Sequence, residues 1–566
     1  MHRSLAFILI VSVALNSAQA ANSFSSSPAR PERQVEALTV ANIFSDRMVL
    51  QRDKPVRLWG WAKAGDSVTA SFAEQEKTAI ANATGSWQVV FDPLKASFEN
   101  RELTLKAGDE TIVLHDVLVG EVWLCGGQSN MEMRLASSVD ADIEIASADY
   151  PAMRFIRLPK VANTNPQADF PVEDKADSQG HWYSCQPQHV GSCTGVGYYF
   201  GRRLHRMLRV PVGLIDTSWG GTMAQHWVEH SRLEPISEMK VYLDKFAATQ
   251  QAWEEGGQAE GAEADYTQDL PLYEAAMTAY KKGDPRPKKP PLRKDPSSLG
   301  QPSGMLNGVI APLSGYSLRG VLFYQGENNS FGESWKPFHR TYPAVIETFR
   351  KSFGEPDLPF GIVQIAGWSS RRSMSYDMNH HCNVIREIQF DVWRKTKNTG
   401  LIVSFDANSN QSIHPARKLP LGERSARWAL AEVYEAKTNR NQPIPWRGPI
   451  FDKMEIQEGK CVLHFDKETS TGLRMDKDLV VGFYMAGEDR VFHADVQARV
   501  NPKDFTVVVW SDSVKAPLAV RYAQSNLPIG GLMNGNELPA YPFRSDDWPI
   551  TPHQSAGSYV RSEANR

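Results

Sequence analysis

Five strongly apolar runs, separated by segments with helical periodicity, constrain the fold of this 566-residue chain more than any other feature. Such runs are typical of strands buried on both faces, and these strands belong to parallel sheets that helices cover. The alternation therefore predicts an α/β fold with a doubly wound parallel sheet. The five runs occupy residues 116–127, 210–222, 318–329, 360–367 and 400–408.

The regions on either side of this alternation carry short strands and frequent turn signals. Residues 67–72 alternate between apolar and polar positions, and residues 86–91 form a further short run after a turn signal. Similar short runs recur at 461–465 and 506–510, towards the C-terminal end. Short strands at this spacing predict a β-sandwich-like domain on each side of the parallel sheet.

An insertion at about 231–300 interrupts the predicted sheet region. Its first part has a helical pattern, and its last part is basic and rich in proline, which blocks regular structure. Because charge runs are usually solvated faces, we interpret the insertion as solvent-exposed rather than as a polyanion-binding arm. The predicted division is a signal segment at 1–20, a linker at 21–37, an N-terminal β-domain at 38–116, the sheet domain with its insertion at 117–435 and a C-terminal β-domain at 440–550.

The first twenty residues have the form of a secretory signal. Arg3 precedes an apolar run at 5–15, and the Ala-Gln-Ala sequence at 18–20 predicts cleavage after Ala20. The alternative is an unprocessed membrane anchor, for which the run is short. Since no later segment approaches a membrane-spanning length, we expect no membrane span in the mature chain and a secreted or periplasmic location.

Charge and cysteine content exclude several function classes. With 62 basic and 65 acidic residues the net charge is −3, which argues against a dedicated nucleic-acid or anionic-membrane binder. The five cysteines form no CxxC pair, and the His-His-Cys sequence at 380–382 lies on a predicted helix whose adjacent side chains point about 100° apart. We therefore predict no metal and no cofactor. Cys185 and Cys193 are close enough in sequence to pair after export, and the sequence leaves this open.

Ser129 is the first candidate for a reacting group, because it lies where the first apolar run ends. The sequence GGQSNM at 126–131 predicts a turn from that strand into a helix. A serine there projects its hydroxyl at the sheet edge, and its own N–H lies at a helix N-terminus, where an oxyanion is stabilised. The alternative is that Ser129 serves only as the helix N-cap.

His414 follows the last apolar run and is the candidate base for that serine. The carboxyl ends of parallel strands meet at one sheet edge, so the two residues can come together although they are far apart in sequence. The loops SWGGT at 218–222 and YQGENN at 324–329 follow two other runs and offer backbone and side-chain N–H donors. Although a lone histidine in a loop is more often inert, the set predicts a nucleophile, a base and an oxyanion hole.

These stretches resemble the sialate O-acetylesterase family, within the wider SGNH (GDSL-like) hydrolase superfamily. GQSNM followed later by IHP is a specific pair, and the resemblance extends from about residue 40 to residue 548. It rests on VLVGEVWLCGGQSNMEM at 117–133, VPVGLIDTSWGGT at 210–222, GMLNGVIAPL at 304–313, YQGENN at 324–329, IHP at 413–415, MVLQRDKPVRLWGWA at 48–62 and LPAYPFRSDDW at 538–548. The resemblance implies a metal-independent hydrolase that removes acetyl groups from carbohydrate.

The resemblance also implies a role for each matching residue. Ser129 becomes the nucleophile and His414 the base. The oxyanion hole is formed by the Ser129 amide, Gly220 and an amide side chain of the YQGENN block, for which we favour Gln325 over Asn329. Arg386, in the family-like stretch IREIQ, is a candidate for contact with the substrate.

The chain departs from the family pattern at the acidic member of the triad. Many superfamily members have an aspartate two or three residues before the histidine, where this chain has Ser412 and Gln411. The acid therefore comes from elsewhere or is absent. Glu327, in the YQGENN block, is our first candidate, and Asp406, at the end of the last apolar run, is the alternative.

The sequence leaves the natural sugar and the oligomeric state open. Acetylated sialic acid is one possible substrate, and acetylated xylan or xyloglucan is the other. A non-catalytic carbohydrate-binding protein is the competing class, which the pairing of Ser129 with His414 argues against.

Overall fold

The computed structural model describes residues 35, 37–172, 179–255, 258–280, 287, 300–368, 381–407, 412–476, 482–548 and 559–560. The predicted signal segment, nearly all of the predicted linker and most of the basic part of the insertion lie outside these residues, as do His380 and Gln411. No helix in the described ranges is long and apolar enough to cross a membrane.

The strands fall into three groups along the chain. The N-terminal group is β1 (Thr39–Val40), β2 (Val49–Gln51), β3 (Val56–Trp61), β4 (Ser67–Phe72), β5 (Gln75–Ile80), β6 (Ser86–Phe91) and β7 (Ser97–Ala107). The central group is β8 (Glu110–Gly127), β9 (Tyr150–Arg157), β10 (Trp182–Cys185), β11 (Val212–Asp216), β12 (Gly320–Tyr324), β13 (Phe360–Val363) and β14 (Thr399–Ile402). The C-terminal group is β15 (Phe451–Gln457), β16 (Lys460–Phe465), β17 (Arg474–Met475), β18 (Phe483–Ala486), β19 (Phe492–His493), β20 (Val496–Asn501), β21 (Thr506–Ser511), β22 (Ala519–Tyr522), β23 (Leu532–Met533), β24 (Phe543–Arg544) and β25 (Tyr559–Val560).

The α-helices lie mainly between the central strands. They are α1 (Ser129–Glu132), α2 (Ala141–Ala146), α3 (Gly195–Leu208), α4 (His230–Leu233), α5 (Lys240–Glu255), α6 (Gln258–Ala279), α7 (Phe338–Phe353), α8 (Cys382–Lys395) and α9 (Leu419–Trp428). Helices α5 and α6 form the first part of the predicted insertion. His381 precedes α8, so the helix predicted for the two adjacent histidines begins after them.

The central strands form a parallel arrangement in the order β9-β11-β8-β12-β13-β14, and β10 pairs antiparallel with β9 at one edge. All five predicted apolar runs contribute a strand to it. Residues 117–127 of β8 and all of β11, β12 and β13 are buried, and β14 is buried after its first residue, because neighbouring elements cover both faces. The α/β prediction is therefore confirmed as a mixed architecture with one large mixed sheet and separate β-sheets. Strands β9 and β10 were not predicted.

Strand β8 connects the N-terminal strands to the central ones. Residues 110–119 of β8 pair with β7, residues 118–120 pair with β2, and the last half pairs with β11 and β12. A single 18-residue strand thus spans the boundary predicted at 116/117. Its buried Glu121 accepts hydrogen bonds from Arg52 and Arg319, which ties the two groups together at that point.

The C-terminal strands form separate sheets that pack against the end of the central sheet. They assemble as β15-β16-β21-β20, β24-β22-β18-β19-β25 and β17-β23. The Tyr541 hydroxyl donates to the Leu401 carbonyl at 3.1 Å, and its ring stacks on Trp393 at 5.2 Å between centroids. These contacts fix the C-terminal strands against β14 and α8.

Candidate active site

The turn between β8 and α1 sets the position of Ser129. Gly127 has a φ of +121°, and a Cβ at this residue would lie 2.1 Å from the Tyr324 carbonyl oxygen on β12. Only glycine tolerates both this backbone conformation and this close approach. The Gln128 N–H donates to that same carbonyl at 2.9 Å, and α1 begins at Ser129. The hydroxyl of Ser129 therefore lies just beyond the carboxyl end of a central strand, as predicted.

His414 contacts Ser129 across 285 residues of sequence. Its Nε2 lies 2.8 Å from the Ser129 Oγ, within hydrogen-bond reach. The His414 N–H donates to the Ser412 hydroxyl at 3.0 Å, and helix α9 follows the loop. Helix α9 packs closely on α3, since a Cβ on Gly422 would lie 2.4 Å from the Tyr199 Cβ. The fold thus holds the loop that carries His414 on a packed helix.

Burial and local charge keep His414 in its neutral form. Its partial burial lowers the pKa of the imidazole, the nearby Lys418 ammonium lowers it further, and the Glu132 carboxylate acts in the opposite direction. An imidazole with a lowered pKa is unprotonated at neutral pH, as a base must be.

The predicted oxyanion donor Gly220 lies beside Ser129. A Cβ on Gly220 would be 3.2 Å from the Ser129 Cβ, and the Trp219 N–H donates to the Gly127 carbonyl at 2.9 Å. The Gly220 N–H itself donates to Glu132 Oε2 at 2.6 Å, and Lys160 binds the other oxygen of that carboxylate. A carboxylate therefore occupies this donor, which was not predicted from the sequence.

The two candidate amide side chains, of Gln325 and Asn329, donate their hydrogen bonds to protein acceptors and not into the space beside Ser129. The Gln325 amide donates to Gln128 Oε1 at 2.7 Å and to the Thr222 carbonyl at 2.8 Å, which uses both of its hydrogens. The Asn329 amide donates to Gln225 Oε1 at 3.1 Å, and its oxygen accepts from the Ala224 N–H. Both side chains are fully buried and fix the loops around the site. In this conformation neither donates to the space beside Ser129.

Neither candidate acid contacts His414. Asp406 accepts two hydrogen bonds from Arg424, at 2.7 and 2.5 Å. Glu327 is buried and accepts from the Asn130 amide at 2.6 Å. Burial raises the pKa of Glu327 to about 7, although the Asn130 hydrogen bond and the Lys418 charge oppose the shift. Within the part of the chain that the structure describes, no carboxylate hydrogen-bonds to His414.

Asn130 and Lys418 are buried polar residues of the site that were not predicted from the sequence. Lys418 Nζ donates to Asn130 Oδ1 at 2.7 Å, and the Asn130 amide also donates to the Ile413 carbonyl at 3.0 Å. Asn130 is adjacent to Ser129 in the GGQSNM motif, which was the available signal. Lys418 lies in the basic stretch HPARK, which is typical of a solvent-exposed loop, so sequence pattern offered no signal for its burial.

Arg386 lies away from the Ser129–His414 pair, at the boundary with the C-terminal strands. It is buried and donates to the Ser525 carbonyl. Burial lowers the pKa of its guanidinium to about 10. Its contacts among the described residues do not include Ser129 or His414.

The five cysteines were candidates for a disulfide or a metal site. All five cysteines are buried as free thiols, so Cys185 and Cys193 form no disulfide in the structure. Among the described residues, no cluster of three or more histidine, cysteine, aspartate or glutamate side chains is placed to hold a metal ion.

Comparison with known proteins finds similarity to carbohydrate acetylesterases. The model of the family "Carbohydrate esterase, sialic acid-specific acetylesterase" matches residues 119–261 and 304–430, which include both Ser129 and His414. Human sialate O-acetylesterase is 27% identical over 452 residues, covering 75% of each chain. The rat sialate O-acetylesterase is 26% identical over 444 residues, covering 74% of this chain and 76% of the other. The crystal structure of a carbohydrate acetylesterase from Xanthomonas citri superposes with a TM-score of 0.72 at 28% identity, covering 90% of this chain and 100% of that one.

Proposed function

We propose that Ser129 is the nucleophile and His414 the general base of this chain, a carboxylic ester hydrolase whose similarity to sialic acid-specific acetylesterases and to a carbohydrate acetylesterase supports removal of O-acetyl groups from carbohydrate. The 2.8 Å contact between His414 Nε2 and Ser129 Oγ carries the proposal. A serine hydroxyl is a weak nucleophile until an adjacent base accepts its proton.

The reaction proceeds in two steps. His414 Nε2 takes the proton of the Ser129 hydroxyl while Oγ attacks the acetyl carbonyl carbon, and a tetrahedral intermediate forms. The intermediate collapses when His414 returns the proton to the sugar oxygen, so that the sugar leaves and Ser129 is acetylated. A water molecule then gives a proton to His414 and attacks the acetyl carbonyl, and His414 passes that proton to Ser129 Oγ as the bond to the acetyl group breaks, which releases acetate and restores the serine.

The N–H groups of Ser129 and Gly220 are the proposed oxyanion donors. Among the described residues the Ser129 N–H has no hydrogen-bond partner, whereas the Gly220 N–H donates to Glu132. We assign Glu132 as a displaceable acceptor, which keeps its contact with Lys160 when the acetyl oxygen takes the Gly220 N–H. One donor of this kind contributes about 10²–10³ in rate.

A Ser129–His414 dyad is our proposal in place of a triad. The hydrogen bonds of Asp406 and Glu327 are directed to Arg424 and Asn130. Glu132 is the carboxylate whose charge acts on His414, by raising its pKa, although the two side chains form no hydrogen bond. We assign Glu327 a supporting role through Asn130 and assign Asp406 no part in the chemistry.

The finer architecture and location also remain proposals. The strand order supports an SGNH-type doubly wound sheet at 117–435 with β-sandwich-like domains at 38–116 and 440–550. The signal-like first twenty residues support a secreted or periplasmic protein that is processed after Ala20.

Replacement of Ser129 by alanine tests the function directly. We expect turnover of an aryl acetate to fall by at least about 10³-fold, because no other group replaces the attacking oxygen. An organophosphorus probe should label the parent protein at Ser129 and leave the variant unlabelled. Unchanged turnover in Ser129→Ala would overturn the mechanism, and a parent protein that resists the probe would favour a non-catalytic carbohydrate-binding protein.

Acetate release from a substrate panel tests the sugar. The family description supports O-acetylated sialic acid, which we propose as the substrate, and acetylated xylan and xyloglucan are the alternatives. The panel should contain all three at equal acetyl concentration, since an unequal supply of acetyl groups would mimic preference. A higher kcat/KM on xylan or xyloglucan than on acetylated sialic acid would move the assignment to a plant-polysaccharide acetylesterase.

A further inference from the structure

Lys418 is a buried ammonium group beside the proposed active site that the reaction above does not use. Only 1% of the residue is exposed, and its Nζ lies 5.6 Å from the centre of the Tyr324 ring. Within the described ranges, its one hydrogen bond to another side chain goes to Asn130 Oδ1. Removing an ammonium from water costs several kcal/mol, so a buried lysine needs compensating contacts.

The Asn130 amide is oriented by this lysine. An ammonium can only donate, so the oxygen of the amide has to face Lys418 and its nitrogen has to face away. The two hydrogens of that nitrogen go to Glu327 Oε1 at 2.6 Å and to the Ile413 carbonyl at 3.0 Å. Every hydrogen on the Asn130 amide is therefore used, and reversing the amide would break three contacts.

These contacts connect the two halves of the proposed dyad. Asn130 follows Ser129 on α1, and Ile413 precedes His414 in the loop before α9. The side chain of Asn130 thus links the residue next to the nucleophile with the residue next to the base. A shift of about 1 Å between nucleophile and base can cost about 10²-fold in rate.

A lysine and a glutamate, Lys418 and Glu327, lie on either side of this amide. Burial lowers the pKa of Lys418 to about 7 and raises that of Glu327 to about 7, and each charge opposes the shift of the other. The charged groups that act on His414 are Lys418, which lowers its pKa, and Glu132, which raises it. Loss of the lysine charge therefore makes His414 easier to protonate.

We propose that Lys418 is a positioning residue that acts through Asn130, holding the Ser129 and His414 backbones together and, by its charge, keeping His414 unprotonated. The proposal rests on the proposed function and adds a residue to that site. Lys418 touches no reacting atom, so its effect is on the geometry and protonation of the dyad.

The test compares Lys418→Met and Lys418→Arg with the parent protein on an aryl acetate. Lys418→Met should lower kcat by about 10- to 100-fold with KM changed by less than about threefold, because alignment is lost and binding is kept. The acid limb of its kcat/KM profile should move to higher pH. Lys418→Arg keeps the charge, so its acid limb should stay at the parent position even where kcat falls.

A matched variant with the opposite sign is Glu132→Gln. It removes the negative charge that acts on His414, and its acid limb should move to lower pH. If Lys418→Met does not fold, Asn130→Ser gives the decision, since a lower kcat at unchanged KM supports the link and a parent-like kcat overturns it. A folded Lys418→Met protein with the kcat and acid limb of the parent overturns the proposal. A parent protein that neither turns over aryl acetate nor reacts with an organophosphorus probe overturns the proposed function itself.

Discussion

Replacement of Gly127 by alanine is expected to disrupt the turn that carries Ser129. The new Cβ would lie 2.1 Å from the carbonyl oxygen of Tyr324, 2.6 Å from the carbonyl carbon and 2.9 Å from the backbone nitrogen of the same residue. These are backbone atoms of the neighbouring strand β12, so they cannot move aside as a flexible side chain can. Relief of the overlap requires β8 and β12 to separate at the point where α1 begins.

Two terms set the size of the effect. The φ of +121° at Gly127 is strained for any residue with a Cβ, at a cost of about 1–3 kcal/mol. Overpacking adds about 1–3 kcal/mol, and the backbone contact places it towards the upper end. The sum of about 2–6 kcal/mol corresponds to a fall in Tm of about 3–9 °C for a domain of about 320 residues, whose unfolding entropy is about 2.1 cal/mol/K per residue.

Two neighbouring glycines separate the two terms. Gly221 has a φ of +82°, and a Cβ added there would meet nothing within 4 Å, so Gly221→Ala carries the backbone term alone. Gly126 has no positive φ, and the atoms nearest to an added Cβ would be side-chain atoms, of the Phe323 ring at 2.9 Å and of Leu124 at 3.2 Å. Thermal unfolding of the three variants should show the largest fall in Tm for Gly127→Ala, together with loss of turnover. A Gly127→Ala protein with the Tm of Gly221→Ala and full turnover would refute the reasoning.

The charges around the dyad give three further predictions. The kcat/KM on an aryl acetate should fall as pH is lowered through the pKa of His414. Because burial and a neighbouring ammonium lower that pKa, the midpoint of the fall should lie below the usual histidine value of about 6.5. A midpoint above about pH 7 would contradict this. Asp406→Asn should keep kcat/KM within about threefold of the parent, since its partner is Arg424; a larger loss would restore Asp406 as a candidate acid. Glu327→Gln should lower kcat more than Asp406→Asn, because it leaves the Lys418 charge without its carboxylate neighbour, and equal rates for both variants would contradict that order.

The sequence predicted those strands that are buried on both faces, because such strands consist of continuous apolar residues. Strands β8, β11, β12, β13 and β14 are apolar because both faces are covered, and each was found from that pattern alone. Strand β9 was missed because its sequence, YPAMRFIR, mixes polar and apolar positions within a short run that lacks turn signals. The covalent order of strands also left the spatial order open, so the central position of β8 became visible only in the structure.

The site divides in a similar way. Ser129 and His414 were predicted because each follows a predicted strand, and parallel strands bring such positions to one edge. Gln325 and Asn329 were predicted as donors from residue type alone, and residue type does not say which acceptors a buried amide will meet. In the structure, acceptors inside the protein take the hydrogens of both amides.

Burial decides which polar residues matter here, and burial of single polar residues in loops has no periodicity to reveal it. Lys418 and Arg417 are adjacent basic residues in one loop, yet Lys418 is 1% exposed and contacts the residue next to the nucleophile. A buried ammonium requires a hydrogen-bond acceptor and an opposite charge nearby. Asn130 supplies the acceptor, and Glu327 supplies the negative charge. Lys418, Asn130 and Glu327 lie on three separate segments of the chain, so the burial of each is understood only when the other two are considered. A polar residue next to a predicted nucleophile therefore merits the same scrutiny as the nucleophile, because the groups that hold it come from wherever the fold brings them.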